Sequence, residues 1–171
     1  TKLNQILGKD FFEKKINFTL NSSLEAQIAS ISDDIAYNSH DLEDGLKSNL
    51  FDLNHLKKIP VLNKIIFKHT KKLKNHSIDL VVRQIIRDII NEMVSDVIVT
   101  TKENIKHYKI KNLNDIYQTQ NLIVNFSQNM QKFDKKIKSF LKQKMYFHKK
   151  VNSKANYGRK MRNPADDSFI P

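Results

Sequence analysis

The chain has 171 residues, of which 39% are hydrophobic and 28% charged, a balance that excludes a disordered chain and favours a folded domain of ordinary size. It has no cysteine, which excludes disulfides and cysteine-bound zinc, and no apolar run of the roughly 18–20 residues that would cross a bilayer. Its formal net charge of +12 favours a polyanionic partner, unless it reflects only a composition rich in Lys, Asn and Ile. The absence of cysteine and of a membrane-spanning run predicts a cytoplasmic protein without a membrane partner. Since Thr1 is not an initiator methionine, we also expect the chain to begin within a longer gene product.

Residues 1–21 form a leading segment with a weak helical period, and the alternation at residues 16–20 predicts a short extended piece. Ser22-Ser23-Leu24-Glu25 has the form of a capping box and predicts a helix with Ser22 as its N-cap, reaching about residue 44. Gly45 is predicted to bend or end this helix. At roughly 100° per residue, the apolar residues of the helix fall in a narrow arc that predicts a core stripe: Leu24, Ile28, Ile31, Ile35, Leu42 and Leu46.

The rest of the chain predicts further helices. Ile59-Pro60-Val61 indicates a break before a short basic helix over about residues 62–73, with a loop at 71–76. Ser77 is predicted to cap a helix to about residue 106, whose wide apolar arc is typical of a helix central to a bundle. A break is predicted at residues 112–115. It is followed by a predicted helical region over residues 116–151, which is interrupted near Phe133-Asp134. Residues 22–151 thus predict an all-α helical bundle, followed by a disordered tail at 152–171.

Three polar residues of the first helix form the most informative pattern. Asp33, Tyr37 and Asp41 are spaced i, i+4 and i+8, within roughly an 80° arc opposite the core stripe. Small side chains lie around this arc: Ala26, Ala29, Ser30 and Ala36. A carboxylate here could bind a divalent metal and the tyrosine could stack on a ligand, although acids opposite an apolar stripe also form ordinary solvated faces.

The sequence motifs of this helix resemble those of a known family. Residues 23–29, 33–38 and 40–46 resemble the signature of the bacterial dGTP triphosphohydrolase-like family, a group of the HD superfamily with an all-α fold. The resemblance continues at residues 82–87 and 93–98, at Thr100-Thr101, at Phe140-Leu141 and at residues 145–148. It covers about residues 20–151, and it identifies the chain as the C-terminal half of such a protein.

The resemblance implies roles for three residues. The family's metal site uses a His, a consecutive His-Asp pair and a later Asp, and Asp33 matches the later Asp, with Asp34 as its rival. Tyr37 matches a tyrosine that packs on the nucleotide sugar, and Asp41 matches an acid near the sugar hydroxyl. His40-Asp41 is not expected to be the metal pair, because the family's pair lies upstream of this helix. Three of the four ligands to a divalent ion such as Mg²⁺ or Mn²⁺ are therefore missing, and we expect the chain alone to be inactive.

The resemblance implies that the complete protein hydrolyses a deoxynucleoside triphosphate to the deoxynucleoside and triphosphate, through a metal-activated water that attacks the α-phosphorus. Members are commonly homo-oligomers, and the helix at 77–106 is a candidate for subunit contacts. Arg83 and Arg87, spaced i and i+4, could contact the triphosphate, or they could pair with Asp88 or Glu92.

The lysines also allow a different class of function. Residues 71–76 form a basic loop, and lysines between 135 and 150 alternate with Phe140, Tyr146 and Phe147. Lysines interleaved with aromatic residues can bind single-stranded nucleic acid. The alternative to a hydrolase is therefore a non-catalytic basic helical module that binds nucleic acid or a partner protein, or an inert fragment.

Overall fold

The structure, a computed structural model, describes residues 20–72 and 76–146, and within these ranges all regular structure is helical. The helices are α1 (Leu24–Lys47), α2 (Leu53–Leu56), α3 (Pro60–Lys72), α4 (Ile78–His107), α5 (Leu113–Gln118) and α6 (Gln128–Leu141), followed by a π-helical turn (Lys142–Tyr146). The all-α prediction is confirmed. Across the described ranges, no helix is both long and apolar enough to cross a bilayer. The predicted tail at 152–171 lies outside the described residues, as does the predicted extended piece except for Leu20.

Both ends of α1 differ from the prediction. The N-cap is Ser23 rather than Ser22, because the Ser23 hydroxyl accepts the backbone N–H of Ala26 at 3.3 Å. At the other end the helix continues through Gly45 to Lys47. A Cβ at Gly45 would collide with the ring of Phe51, so the glycine is required for close packing and does not end the helix.

The core forms where α1 and α3 pack on α4, with α6 against α1. As predicted, Ser77 caps α4, and its side chain accepts the backbone N–H of Leu80. The predicted core stripe of α1 is only partly right, since Ile35 and Leu42 are buried whereas Ile28 is 49% exposed. α3 begins at Pro60, two residues earlier than predicted, and proline suits the first position of a helix.

The C-terminal region corrects two predictions. The break predicted at 112–115 lies earlier, at 108–112, because the side chains of Asn112 and Asp115 form a reciprocal capping box that begins α5. The helical region predicted from residue 116 is interrupted at 119–127, and α6 then runs through Phe133 and Asp134 without a break. Both residues are buried on the inner side of α6, where Asn38 and Lys138 compensate the Asp134 carboxylate.

Polar side chains fix the irregular segment 119–127 against α1 and α4. The buried side-chain oxygen of Gln27 accepts the backbone N–H groups of Ile123 and Val124, at 2.9 and 3.0 Å. Asn104 donates to the backbone carbonyl of Ile123 at 2.8 Å. Asp96 accepts both the backbone N–H and the hydroxyl of Ser127, the N-cap of α6. Side chains thus replace the backbone partners that this segment lacks, and they place α6 beside α1.

An ion pair between α3 and α4 predicts acid sensitivity. Asp88 accepts hydrogen bonds from Lys68 and from buried His69, both at 2.8 Å. The hydrogen bond from Lys68 lowers the pKa of Asp88 below its usual 3.8. Partial burial opposes this shift, and the hydrogen bond from His69 adds to it. A carboxyl group with a depressed pKa stabilises the fold above its unfolded pKa, and this stabilisation is lost as pH falls through the folded value.

We therefore expect Asp88→Asn to lower the free energy of unfolding at neutral pH by about 1–2 kcal/mol. The difference from the wild type should shrink as pH falls below about 4, as measured by urea denaturation across this range. Asp44→Asn, at an exposed position of α1, is the matched control and should change little. A difference that stays constant down to the lowest pH would contradict this role for Asp88.

Candidate functional site

α1 lies between α4 and α6, and one of its sides faces neither of these helices. Ile35 and Ser39 lie on the α4 side, whereas Asp34 and Asn38 bond to α6. The remaining side, which we call the outer face of α1, carries five residues: Ala26, Ala29, Asp33, Tyr37 and Asp41. Asp33 and Tyr37 are exposed, Tyr37 by 59%, and Asp41 is partly buried. The structure therefore brings the three predicted site residues together on one accessible surface.

Tyr146 joins this surface from the π-helical turn that follows α6. Its hydroxyl donates to the carboxylate of Asp41, and it is also hydrogen-bonded with Tyr37. Partial burial raises the pKa of Tyr146 well above its usual value of 10, and the hydrogen bonds to Asp41 and Tyr37 raise it further. Two phenols and one carboxylate thus form a cluster beside Asp33. The sequence singled out Tyr146 only within a family segment, and nothing in the local pattern indicates that it would reach α1.

The two neighbouring acids, Asp33 and Asp34, have different surroundings. Asp34 lies 3.1 Å from the ammonium group of Lys138, which also lies 3.0 Å from buried Asp134. Partial burial lowers the pKa of Lys138, but its hydrogen bonds to Asp134 and Asp34 outweigh this effect and raise the pKa. Asp134 also accepts from Asn38 at 2.9 Å. The Asp33 carboxylate has no hydrogen bond or ion pair with any described residue, so it is the acid available to a ligand.

Comparison with known proteins gives the same family as the motif, although no protein-family model matches the chain. Three relatives carry the name deoxyguanosinetriphosphate triphosphohydrolase-like protein. The relative from Pelagibacter ubique (strain HTCC1062) is 45% identical over 161 residues, 94% of this chain and 43% of its own length. The relative from Rickettsia typhi is 36% identical over 82% of this chain and 37% of its own length. The relative from Bartonella quintana is 37% identical over 79% of this chain and 34% of its own length. The chain belongs to this family. It spans less than half the length of the relatives it matches.

The described part of the chain does not form a metal centre by itself. Across residues 20–72 and 76–146, no three His, Asp or Glu side chains lie close enough together to hold an ion. Asp33 offers one carboxylate on the outer face. His40 lies instead on the edge towards α4, in a groove that it lines with Glu43 and Ile90.

The arginines that could serve a triphosphate lie elsewhere on the bundle. Arg83 and Arg87 are exposed on α4 and form no ion pair with any described residue. Asp88 is not their partner, because Lys68 and His69 take its carboxylate. The grooves between α1 and α4 show that the two helices run antiparallel, with Ser32 near Val94 and Glu43 near Ile86. Arg83 therefore lies towards the C-terminal end of α1, and the structure does not bring it beside Asp33.

The contact between Tyr146 and Asp41 predicts an unusual alkaline titration. In a pH titration of tyrosinate absorbance, we expect one phenol to ionise well above the usual value of about 10. Tyr146→Phe should remove this late step, and Asp41→Asn should move it to lower pH by removing the carboxylate that disfavours the tyrosinate. Tyr108→Phe is the control and should leave the late step in place. Persistence of the late step in Tyr146→Phe would show that it belongs to another tyrosine.

Proposed function

We propose that the complete protein to which this chain belongs hydrolyses a deoxynucleoside triphosphate, of the dGTP type, to the deoxynucleoside and triphosphate. The observation that supports this most is the outer face of α1. There an unpaired carboxylate, Asp33, lies beside the cluster of Tyr37, Asp41 and Tyr146, in a chain whose relatives bear the triphosphohydrolase-like name. This chain would supply the sugar-binding part of the site.

Each residue of the cluster has a chemical role in this proposal. The exposed ring of Tyr37 packs on the sugar, where a ribose 2′-hydroxyl would be crowded, so a deoxyribose is favoured. Asp41, held by the Tyr146 hydroxyl, accepts a hydrogen bond from the sugar hydroxyl. Asp33 contributes one ligand to a divalent metal such as Mg²⁺ or Mn²⁺, which supplies Lewis-acid chemistry when bound. The other ligands would come from sequence outside this chain, as the HD superfamily implies.

Two further parts of the proposal rest on α4. Arg83 and Arg87 remain candidates for triphosphate contact in the complete protein, because their guanidinium groups are exposed and unpaired among the described residues. Exposed apolar side chains on the same helix, such as Val94 and Ile98, fit a subunit contact in a homo-oligomer. Neither part is needed for the roles of Asp33, Tyr37 and Asp41.

A hybrid protein tests the proposal. The segment of the Pelagibacter ubique relative that matches this chain would be replaced by the chain itself, and release of inorganic triphosphate from dGTP would be measured with Mg²⁺ or Mn²⁺. We expect the hybrid to release triphosphate at a rate comparable with that of the intact relative, the positive control. We expect no release by the isolated chain, because Asp33 alone cannot hold the ion. A folded but inactive hybrid would contradict the proposal, as would metal-dependent turnover by the isolated chain.

A further inference from the structure

A polar pocket lies away from the outer face of α1. It has a volume of about 320 Å³ and opens between the turn after α2 and the C-terminal part of α6 with its π-helical turn. One wall is formed by His55, Lys58 and Ile59, and the other by Lys136, Ser139, Phe140, Gln143 and Lys144. On α6, Asp134 and Lys138 face α1, and Lys136 is roughly 200° away from Asp134 around the helix. The pocket is therefore separate from the site proposed above.

The charged side chains that line this pocket are all basic. Three lysines line it, and none of the described residues that line it is acidic. Within residues 20–72 and 76–146, Lys58, Lys136 and Lys144 form no hydrogen bond or ion pair. Some lysines elsewhere in the described ranges are paired, as Lys68 is with Asp88 and Lys138 with Asp134, so what distinguishes these three is that they line one concavity. Three uncompensated ammonium groups around one concavity repel one another, and a bound anion would remove this repulsion.

The remaining lining residues are apolar side chains of the core and polar side chains that can donate hydrogen bonds to an anion. Ile59 is buried, and Phe140 packs edge-on against Phe51 with 4.9 Å between ring centroids, so the apolar walls belong to the core. Ser139 and Gln143 add neutral hydrogen-bond donors. His55 bonds through Nδ1 to Asp52 at 2.8 Å, which fixes its ring and leaves Nε2 for another partner.

We propose that this pocket binds a small polyphosphate anion, either free inorganic triphosphate or the phosphate chain of a nucleotide. A multiply charged phosphate chain can bind several ammonium groups at once, which a single carboxylate cannot do. The pocket has a volume of about 320 Å³ between two short walls, which suits a short anion better than a nucleic-acid strand, since a strand would need a continuous groove. The inference does not depend on hydrolysis at the outer face of α1.

Calorimetric titration of the full chain with inorganic triphosphate in the presence of EDTA tests this inference. We expect binding that Lys136→Gln combined with Lys144→Gln weakens by at least about tenfold, since two charge-assisted contacts are lost. Lys58→Gln, on the opposite wall, should weaken binding without any change to α6. The matched control, Lys64→Gln with Lys106→Gln, removes the same charge from exposed positions outside the pocket and should leave affinity within about twofold.

Three further titrations, with dGTP, with the Asp33→Ala variant and with a single-stranded oligonucleotide, separate the possible ligands and sites. If dGTP and triphosphate bind equally well and lose affinity in the same variants, the phosphate chain alone is recognised, and tighter binding of dGTP shows that a nucleotide is the preferred source. Asp33→Ala should leave triphosphate binding unchanged, so failure of the proposed hydrolase would not remove this result. Equal losses in pocket and control variants, no binding of triphosphate, or binding only of a single-stranded oligonucleotide would overturn the inference.

Discussion

Replacing Asp33 with alanine in the hybrid protein is expected to lower the rate of triphosphate release from dGTP by at least about a hundredfold. Asp33 is the acid on the outer face of α1 that forms no hydrogen bond or ion pair with a described residue, whereas Asp41 is hydrogen-bonded to Tyr146 and Asp34 is paired with Lys138. Its exposed position also means that its removal should not disturb folding. Initial rates and circular dichroism of the same preparations measure both effects.

Two matched variants make the result specific. Asp44→Ala removes an exposed acid from the same helix and should leave the rate nearly unchanged. Asp34→Ala tests the rival ligand, and we expect a much smaller loss than for Asp33→Ala, because Lys138 already occupies the Asp34 carboxylate. If Asp34→Ala were inactive and Asp33→Ala fully active, the metal ligand would be Asp34.

Replacing Asp134 with alanine is expected to lower the free energy of unfolding by about 3 kcal/mol. Asp134 is buried, accepts from Asn38 at 2.9 Å and lies 3.0 Å from Lys138, so it connects α6 to α1. Its removal would leave the buried Asn38 amide without this acceptor and Lys138 without its inner partner. Urea denaturation of the isolated chain measures the change.

Two other variants separate the buried pair from the exposed one. Asp134→Asn keeps an oxygen acceptor for Asn38 and should cost less than Asp134→Ala. Asp34→Ala removes only the outer partner of Lys138, whose side chain is 42% exposed, and should change stability by at most about 0.5 kcal/mol. Equal effects of Asp134→Ala and Asp34→Ala would show that burial of Asp134 does not strengthen the link between α1 and α6.

Helical periodicity and capping predicted much of the fold because both act within a few residues of the chain. Ser77 and the apolar pattern after it were enough to predict α4. The errors lie where distant contacts decide. Gly45 does not end α1 because the ring of Phe51 packs against it, and residues 119–127 are held in irregular structure by Gln27 and Asn104. No local pattern contains these contacts.

The same distinction applies to the candidate site. Helical spacing alone predicted that Asp33, Tyr37 and Asp41 would share a face, because 3.6 residues per turn fix that geometry. The spacing could not separate Asp33 from Asp34, since the separation depends on Lys138, 104 residues beyond Asp34 in the chain. Nor could it place Tyr146, which reaches Asp41 through a π-helical turn that the local pattern does not predict.

The most direct measurement is a crystal structure of the hybrid protein with Mn²⁺ and a non-hydrolysable dGTP analogue. We predict that the Asp33 carboxylate ligates the ion, that the ring of Tyr37 packs on the deoxyribose, and that Asp41 lies within hydrogen-bonding distance of the sugar hydroxyl. A nucleotide bound at another surface, with these three side chains directed into solvent, would contradict the proposed site.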